Sequence, residues 1–195
     1  MRRFIHVLKS GFPLGVAITF LSGLIYLSAQ QVLRHLANDP QIQIAEEIAA
    51  ARARGEIPEA LPAWGAPAGS KSDMSHSLAP FVIEFDDQLQ PTASTVQLDG
   101  QTPAPPPGVF EHAKSAGENR LTWQPRPGVR NATVVVHYGG PHPGFVLAGR
   151  SLRESEARTA MIGKLIGVGW IASMFALSVI SSALAFVGGR AQPAV

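Results

Sequence analysis

Four side chains in the second half of the chain could together bind a small carboxylate. They lie in two segments that alternate as β-strands do, and they are Arg120, Trp123, Arg130 and Tyr138. Arg130 and Tyr138 share an alternation parity, so both should project from one face of a sheet. A guanidinium beside an aromatic ring suits a carboxylate, because arginine binds carboxylates through two parallel hydrogen bonds. In the alternative interpretation the arginines are surface charges and the aromatic rings belong to the core.

Catalytic and metal-binding patterns have less support. His137 and His142 are close enough in sequence to share a metal ion, but no carboxylate or third histidine is near them in sequence. We interpret them as solvated turn residues. Glu84, Asp86 and Asp87 are interpreted as strand-end and turn acids. The chain has no cysteine, which excludes disulfides, thiol catalysis and cysteine metal sites. We therefore predict that the protein is not an enzyme and uses no cofactor.

The central region has the pattern of one folded domain. A helix over residues 40–54, capped by Asn38 or Asp39, ends before Gly55. A short helix over 109–117 separates the second predicted strand from the third. The five predicted strands cover about residues 80–86, 92–98, 119–124, 129–138 and 144–150. The order of helix, two strands, helix and three strands predicts a single α+β domain with a five-stranded antiparallel sheet.

Two long apolar segments flank this domain. Each has about the length that crosses a bilayer as a helix, roughly 20 residues, and we predict transmembrane helices over 11–33 and 159–188. The first segment could instead be a cleaved signal peptide, because Arg2, Arg3 and Lys9 form a basic region before it. The helical character of the residues that follow favours an uncleaved anchor.

The charges near the spans predict the orientation of the chain. The short basic N-terminus should remain in the cytoplasm, whereas a loop longer than about 60 residues crosses largely regardless of its charge. We therefore predict a two-pass protein of the inner, cytoplasmic membrane. Residues 1–10 and 189–195 would be cytoplasmic, and the domain of residues 34–158 would be extracytoplasmic. Four basic residues near the outer end of the second span argue the other way; they are Arg150, Arg153, Arg158 and Lys164.

Small residues recur at four-residue intervals in both spans. They are Gly11, Gly15, Thr19 and Gly23 in the first span, with Gly163 and Gly167 in the second. Small residues let helix backbones approach closely in lipid, where packing replaces the hydrophobic effect. We predict tight helix packing in the lipid bilayer, either within the chain, in a homodimer or against another protein. The net charge of +2 comes without a basic run, so nucleic acid is not an expected partner.

A helix start follows the last predicted strand directly. Arg150 ends that strand, and Ser151 with Glu154 then forms a capping box, in which each side chain satisfies a backbone N–H of the other. No proline interrupts the following stretch of about 36 residues, so one helix could continue through the second span. In the alternative, a short helix ends at Gly163 and the span begins separately.

The segments "NDPQIQIAEEIAAARARG", "LAPFVIEFDDQLQPTASTVQLDG" and "GFVLAGRSLRESE" lie between the two spans. Together they resemble the extracytoplasmic PAS-like sensor domains of the Cache type, over roughly residues 30 to 160. In that family a long helix leaves the first span, a hairpin follows, and the last strand leads into the second span. Such receptors usually continue into a kinase, methyl-accepting or cyclase module. This sequence ends about six residues after Gly189, so we expect another protein to supply the output.

Two functions follow from these predictions. The first is a membrane-anchored sensor or signalling accessory protein, in which a small-molecule ligand or a protein partner changes the periplasmic PAS-like domain and its second span. The second is a non-catalytic structural or accessory subunit of a larger membrane complex, in which the domain is a docking surface.

Overall fold

The computed structural model describes residues 2–56, 61 and 70–190. The chain separates into two compact units. The helical unit consists of Met1–Leu33 with Ala157–Val195, and the sheet unit consists of Arg34–Glu156. The predicted fold class is confirmed, because the sheet unit is an α+β domain with a five-stranded antiparallel sheet. Two helices apolar enough to cross a membrane flank it in sequence.

Three helices and seven strands follow one another along the described residues. In chain order they are α1 (Arg2–Ala53), β1 (Ser72–Asp73), β2 (Phe81–Asp86), β3 (Pro91–Ser94), β4 (Val96–Gln97), α2 (Pro107–Ala116), β5 (Glu118–Arg126), β6 (Val129–Tyr138), β7 (Gly144–Ser151) and α3 (Arg153–Arg190). The two long helices, α1 and α3, each contribute residues to both units.

The first helix is longer than the sequence predicts. A new start was expected at Asn38 or Asp39, but α1 runs without interruption through this region. Pro40 removes one backbone donor from the helix. The segment after it is rich in alanine and glutamate, which are strong helix formers, and it continues the helix. Gly55 follows the end of α1 with a φ of 77°, a conformation that glycine adopts without a steric penalty.

The strand that comes last in the sequence, β7, lies at the centre of the main sheet. The strand order is β3-β2-β7-β6-β5, and all neighbours are antiparallel. A separate parallel pair joins β1 to β4. The strand predicted over 92–98 is divided between β3 and β4 at Thr95. There the Thr95 hydroxyl accepts a hydrogen bond from the backbone N–H of Val82 at 2.9 Å, in place of a regular ladder.

A helix covers each face of the main sheet. On the α2 face, Phe110 packs edge-to-face against Phe85 and Phe145, with ring centroids 4.9 and 5.2 Å apart. On the α1 face, Ala45 and Ile48 pack with valines of the three central strands. Burial of one large apolar side chain stabilises a fold by about 1.5–3 kcal/mol, so these two layers hold the sheet unit together.

The second long helix, α3, is a single helix of 38 residues, which confirms the prediction of one uninterrupted helix. The candidate spans are Gly11–Val32 in α1 and Arg153–Leu184 in α3. Their large apolar side chains are exposed; Phe12 and Phe20 are both 71% exposed. Such exposure suits a hydrocarbon surrounding and is the feature of a membrane protein.

Candidate functional site

An ion pair between the half-buried Arg52 and the buried Glu84 joins the end of α1 to β2. The Arg52 guanidinium donates from Nη2 to Glu84 Oε2 at 2.8 Å and from Nε to Glu84 Oε1 at 3.0 Å. Only 4% of the Glu84 side chain is exposed. The interpretation of Glu84 as a strand-end acid is therefore wrong, because this residue lies inside β2 with a paired strand on either side.

The pair combines a strong attraction with a large desolvation penalty. Charge-assisted hydrogen bonds are roughly twice as strong as neutral ones, and this pair has two in parallel. The hydrogen bonds to Glu84 raise the pKa of Arg52. Removal of one partner from such a pair leaves an uncompensated buried charge and costs about 3–5 kcal/mol. Arg52 is therefore tied to one point on the sheet.

Tyr138 adds a third polar group, at the end of β6. Burial raises the pKa of Tyr138, and the negative charge of Glu84 acts in the same direction. The Tyr138 ring passes close to Gly144 of the neighbouring β7. A Cβ atom at Gly144 would stand 2.7 Å from the Tyr138 hydroxyl oxygen and would also meet the carbonyl oxygen of Phe85. Glycine at this position allows the ring to lie against the sheet.

The second connection is the start of α3, which follows β7 after Leu152 alone. The N–H of Leu152 donates to the carbonyl oxygen of Arg130 at 2.9 Å, so the chain leaves the sheet still bonded to β6. The Ser151 hydroxyl accepts from the N–H of Arg153 at 3.3 Å, one residue before the donor that the capping box predicts.

Three guanidinium groups hold the first turn of α3. The contacts are Arg150 with Glu154 at 3.2 Å, Arg130 with Glu156, and Arg153 with the carbonyl oxygen of Ser75. Each exposed contact contributes little by itself. Because all three act on one helical turn, they hold that turn against the sheet unit.

The structure does not bring the four predicted carboxylate-binding residues together. Arg120 and Arg130 each form an ion pair with a glutamate. Arg130 and Tyr138 do share the α1 face, but eight residues of extended strand separate them by about 26 Å. Trp123 is three residues from Arg120 on β5 and therefore points the other way, into the α2 face, where it is buried.

The two predicted turn histidines also differ in their surroundings. The His137 ring is half-buried and lies 5.0 Å from the Phe145 ring, between centroids. His142 is exposed in the turn before β7. Among the described residues, no group of three or more histidine, aspartate or glutamate side chains could hold a metal ion.

In the helical unit, three of the four predicted small residues of α1 lie close to α3. A Cβ atom at Gly11 would lie 3.4 Å from Ser181 Oγ, and one at Gly15 would lie 3.7 Å from a Leu177 methyl carbon. The backbone of α1 is thus close to α3 where the sequence has glycine. This packing is made within one chain.

Two further contacts join the same antiparallel helices. Trp170 Nε1 donates to Thr19 Oγ1 at 3.0 Å. The ring of Tyr26 lies over Gly163, where a Cβ atom would stand 3.1 Å from it. The remaining two predicted packing residues, which have no atom within 4 Å of such a Cβ, are Gly23 and Gly167.

Sequence reasoning missed the Arg52–Glu84 pair, although two signals were present. Glu84 interrupts the apolar strand "FVIEFD", where an acid has no water to face. Arg52 falls on the same side of α1 as the buried Ala45 and Ile48, with helical spacing. Each signal marks one unusual charge, and neither identifies its partner.

These elements define a class of protein, an α+β domain between two candidate membrane-spanning helices. Comparison with protein-family models, with curated proteins and with solved structures finds no match to this chain.

Proposed function

We propose that the protein is a membrane-anchored sensor or signalling accessory protein. The sheet unit is an extracytoplasmic PAS-like domain of the Cache type, and both termini lie on the cytoplasmic side of the inner membrane. A ligand or a partner protein changes the sheet unit, and α3 passes this change to the membrane. In this proposal the described domain and its helices have no catalytic role.

The attachment of both long helices to neighbouring strands is the observation that supports this proposal. The Arg52–Glu84 pair ties α1 to β2, and α3 follows β7 after one residue. These strands pair with each other along the whole of β2, from Phe81 opposite Gly149 to Asp86 opposite Gly144. A change in their spacing would therefore act on both helices.

The resemblance in sequence supports the same class. The long helix after the first span, the hairpin of β2 and β3, and the last strand leading into the second span are the features that suggest PAS-like sensors. The alternative, a docking subunit of a larger complex, would be favoured by an apolar surface. In the described part of the sheet unit, Leu78 is the one large apolar side chain that is exposed.

Hydrogen exchange of the full-length protein in mild detergent tests the coupling. We expect Arg52→Met to increase exchange in peptides covering 45–56 and also in peptides covering 150–160, because β2 and β7 share hydrogen bonds. The matched control is Arg54→Met, which removes an exposed pair with Glu56 and should leave both peptides unchanged. Faster exchange confined to 45–56 would contradict the proposal.

Native purification separates the two functions. A melting temperature that rises with a small carboxylate or amino acid, in protein that purifies without a partner, supports the sensor. Stoichiometric co-purification with an enzyme or a transport complex, without such a shift, supports the accessory subunit.

A further inference from the structure

The helical unit could pair its helices in more than one register. The small residues of α1 recur every four positions, so a shift of α3 by one turn, about 6 Å, would again face small residues. Among them, Thr19 carries a hydroxyl. Thr19 Oγ1 donates to the carbonyl oxygen of Gly15 at 2.9 Å and accepts from Trp170 Nε1 at 3.0 Å.

We propose that Trp170 is a positioning residue that fixes the register of α3 against α1, within one chain, through its hydrogen bond to Thr19. In the alternative state, α3 is shifted by one turn along α1, and Trp170 lies at Gly23. The use of that shift in signalling rests on the proposed function. The role of the Trp170–Thr19 hydrogen bond in fixing the register does not.

The chemistry of the indole explains why one register is preferred. Opposite a glycine, the indole N–H would meet no side-chain acceptor. An unpaired donor is costly in hydrocarbon, where no water replaces the lost partner. The shifted state still has room, because no atom lies within 4 Å of a Cβ placed at Gly23.

Introduced cysteines can report the register, since the natural chain has none. Gly11→Cys with Ser181→Cys reports the observed register, and Gly15→Cys with Ser181→Cys reports the shifted one. Oxidation of the full-length protein in membranes should give an intramolecular disulfide mainly with the first pair. Trp170→Phe and Thr19→Val should each raise the yield of the second pair relative to the first by about 3-fold to 20-fold, the range that measured hydrogen bonds in membranes imply.

Two further variants make the result specific. Thr19→Ser keeps the hydroxyl and should retain the wild-type ratio. Ser173→Ala removes a hydroxyl that bonds the Gly169 carbonyl of its own helix, at 2.8 Å, and should also leave the ratio unchanged.

If the ratio of the two disulfide yields were unchanged in both Trp170→Phe and Thr19→Val, the hydrogen bond would not fix the register and the proposal would be overturned. Disulfides between two chains would overturn pairing within one chain. The proposed function does not depend on either result, because it fails on a different measurement, the hydrogen exchange of residues 150–160.

Discussion

The two units place their large apolar side chains in opposite positions. In the sheet unit, Phe85, Phe110 and Phe145 are each no more than 2% exposed, whereas Phe12 and Phe20 of the helical unit are 71% exposed. The contact between the two long helices uses glycine, threonine and an indole N–H instead. A sheet unit in water is stabilised by burying apolar surface. A helix pair in lipid gains nothing from such burial and depends on close packing.

Replacement of phenylalanine by alanine should therefore have unequal effects on stability in the two units. Phe110→Ala should destabilise the sheet unit by about 3–5 kcal/mol, because it leaves a cavity between two aromatic rings. Phe20→Ala should not change the unfolding of the sheet unit, since its side chain faces lipid. Denaturant unfolding of the full-length protein in detergent, followed by near-ultraviolet circular dichroism, measures both. A similar loss from the two variants would refute the assignment of the helical unit to the membrane.

Removal of an arginine charge should have unequal effects on stability inside the sheet unit and at its surface. Arg52→Met should cost about 3 kcal/mol, because Glu84 remains buried without its partner. The double variant Arg52→Met with Glu84→Leu should recover most of this stability, since the unpaired charge is then absent. Arg54→Met should have no measurable effect in the same unfolding assay. If the double variant were as unstable as the single one, the pair would act through packing rather than charge.

Glycine should also have different roles in the two units. Gly140 has a φ of 110°, and a Cβ there would stand 2.7 Å from the carbonyl oxygen of Ala53. Gly140→Ala should therefore destabilise the sheet unit by about 1–3 kcal/mol. Gly15→Ala should be tolerated, because Gly15 is helical and the nearest atom of Leu177 is at an ordinary contact distance. Thermal unfolding of the two variants decides whether backbone conformation or helix spacing imposes the stricter requirement for glycine.

The smallest expected effect concerns Tyr138 at high pH. Burial raises its pKa, so the folded state favours the neutral phenol. The resulting stability is fully present below the unfolded pKa, near 10.0, and is lost as the pH rises through the folded pKa. Phenolate absorbance in a Tyr26→Phe background should show ionisation of Tyr138 above pH 10, and Tyr138→Phe should unfold less readily there. Ionisation at the usual tyrosine pKa would contradict the effect of its partial burial.

Local patterns were enough to predict most of the elements. Alternation over "FVIEFD" and "VRNATVVVHY" marks strands that the structure contains, and the apolar segments coincide with the candidate spans. The break expected at Pro40 is absent, because helix-forming residues after it outweigh one lost hydrogen bond. Local propensity gives a preference at each position, and the neighbouring segments decide the outcome.

The candidate site was less accessible to sequence reasoning. Arg52 and Glu84 are separated by 32 positions, and no local pattern pairs them. Parity correctly placed Arg130 and Tyr138 on one face, but a shared face on a ten-residue strand does not make two side chains neighbours. Trp123 and Arg120 differ by an odd number of positions, so alternation alone separates them.

The central position of β7 has a consequence for synthesis. The hairpins β2–β3 and β5–β6 are each local, and they are joined into one sheet only through β7, which pairs with β2 on one side and β6 on the other. Strand pairing across such a sequence separation is slow compared with local pairing. A nascent chain that ends before Gly144 lacks the strand that joins the two hairpins, and this strand is followed after Leu152 by the second long helix. Completion of the sheet and synthesis of that helix are therefore consecutive events, so the sheet is complete only when the second long helix begins to be made.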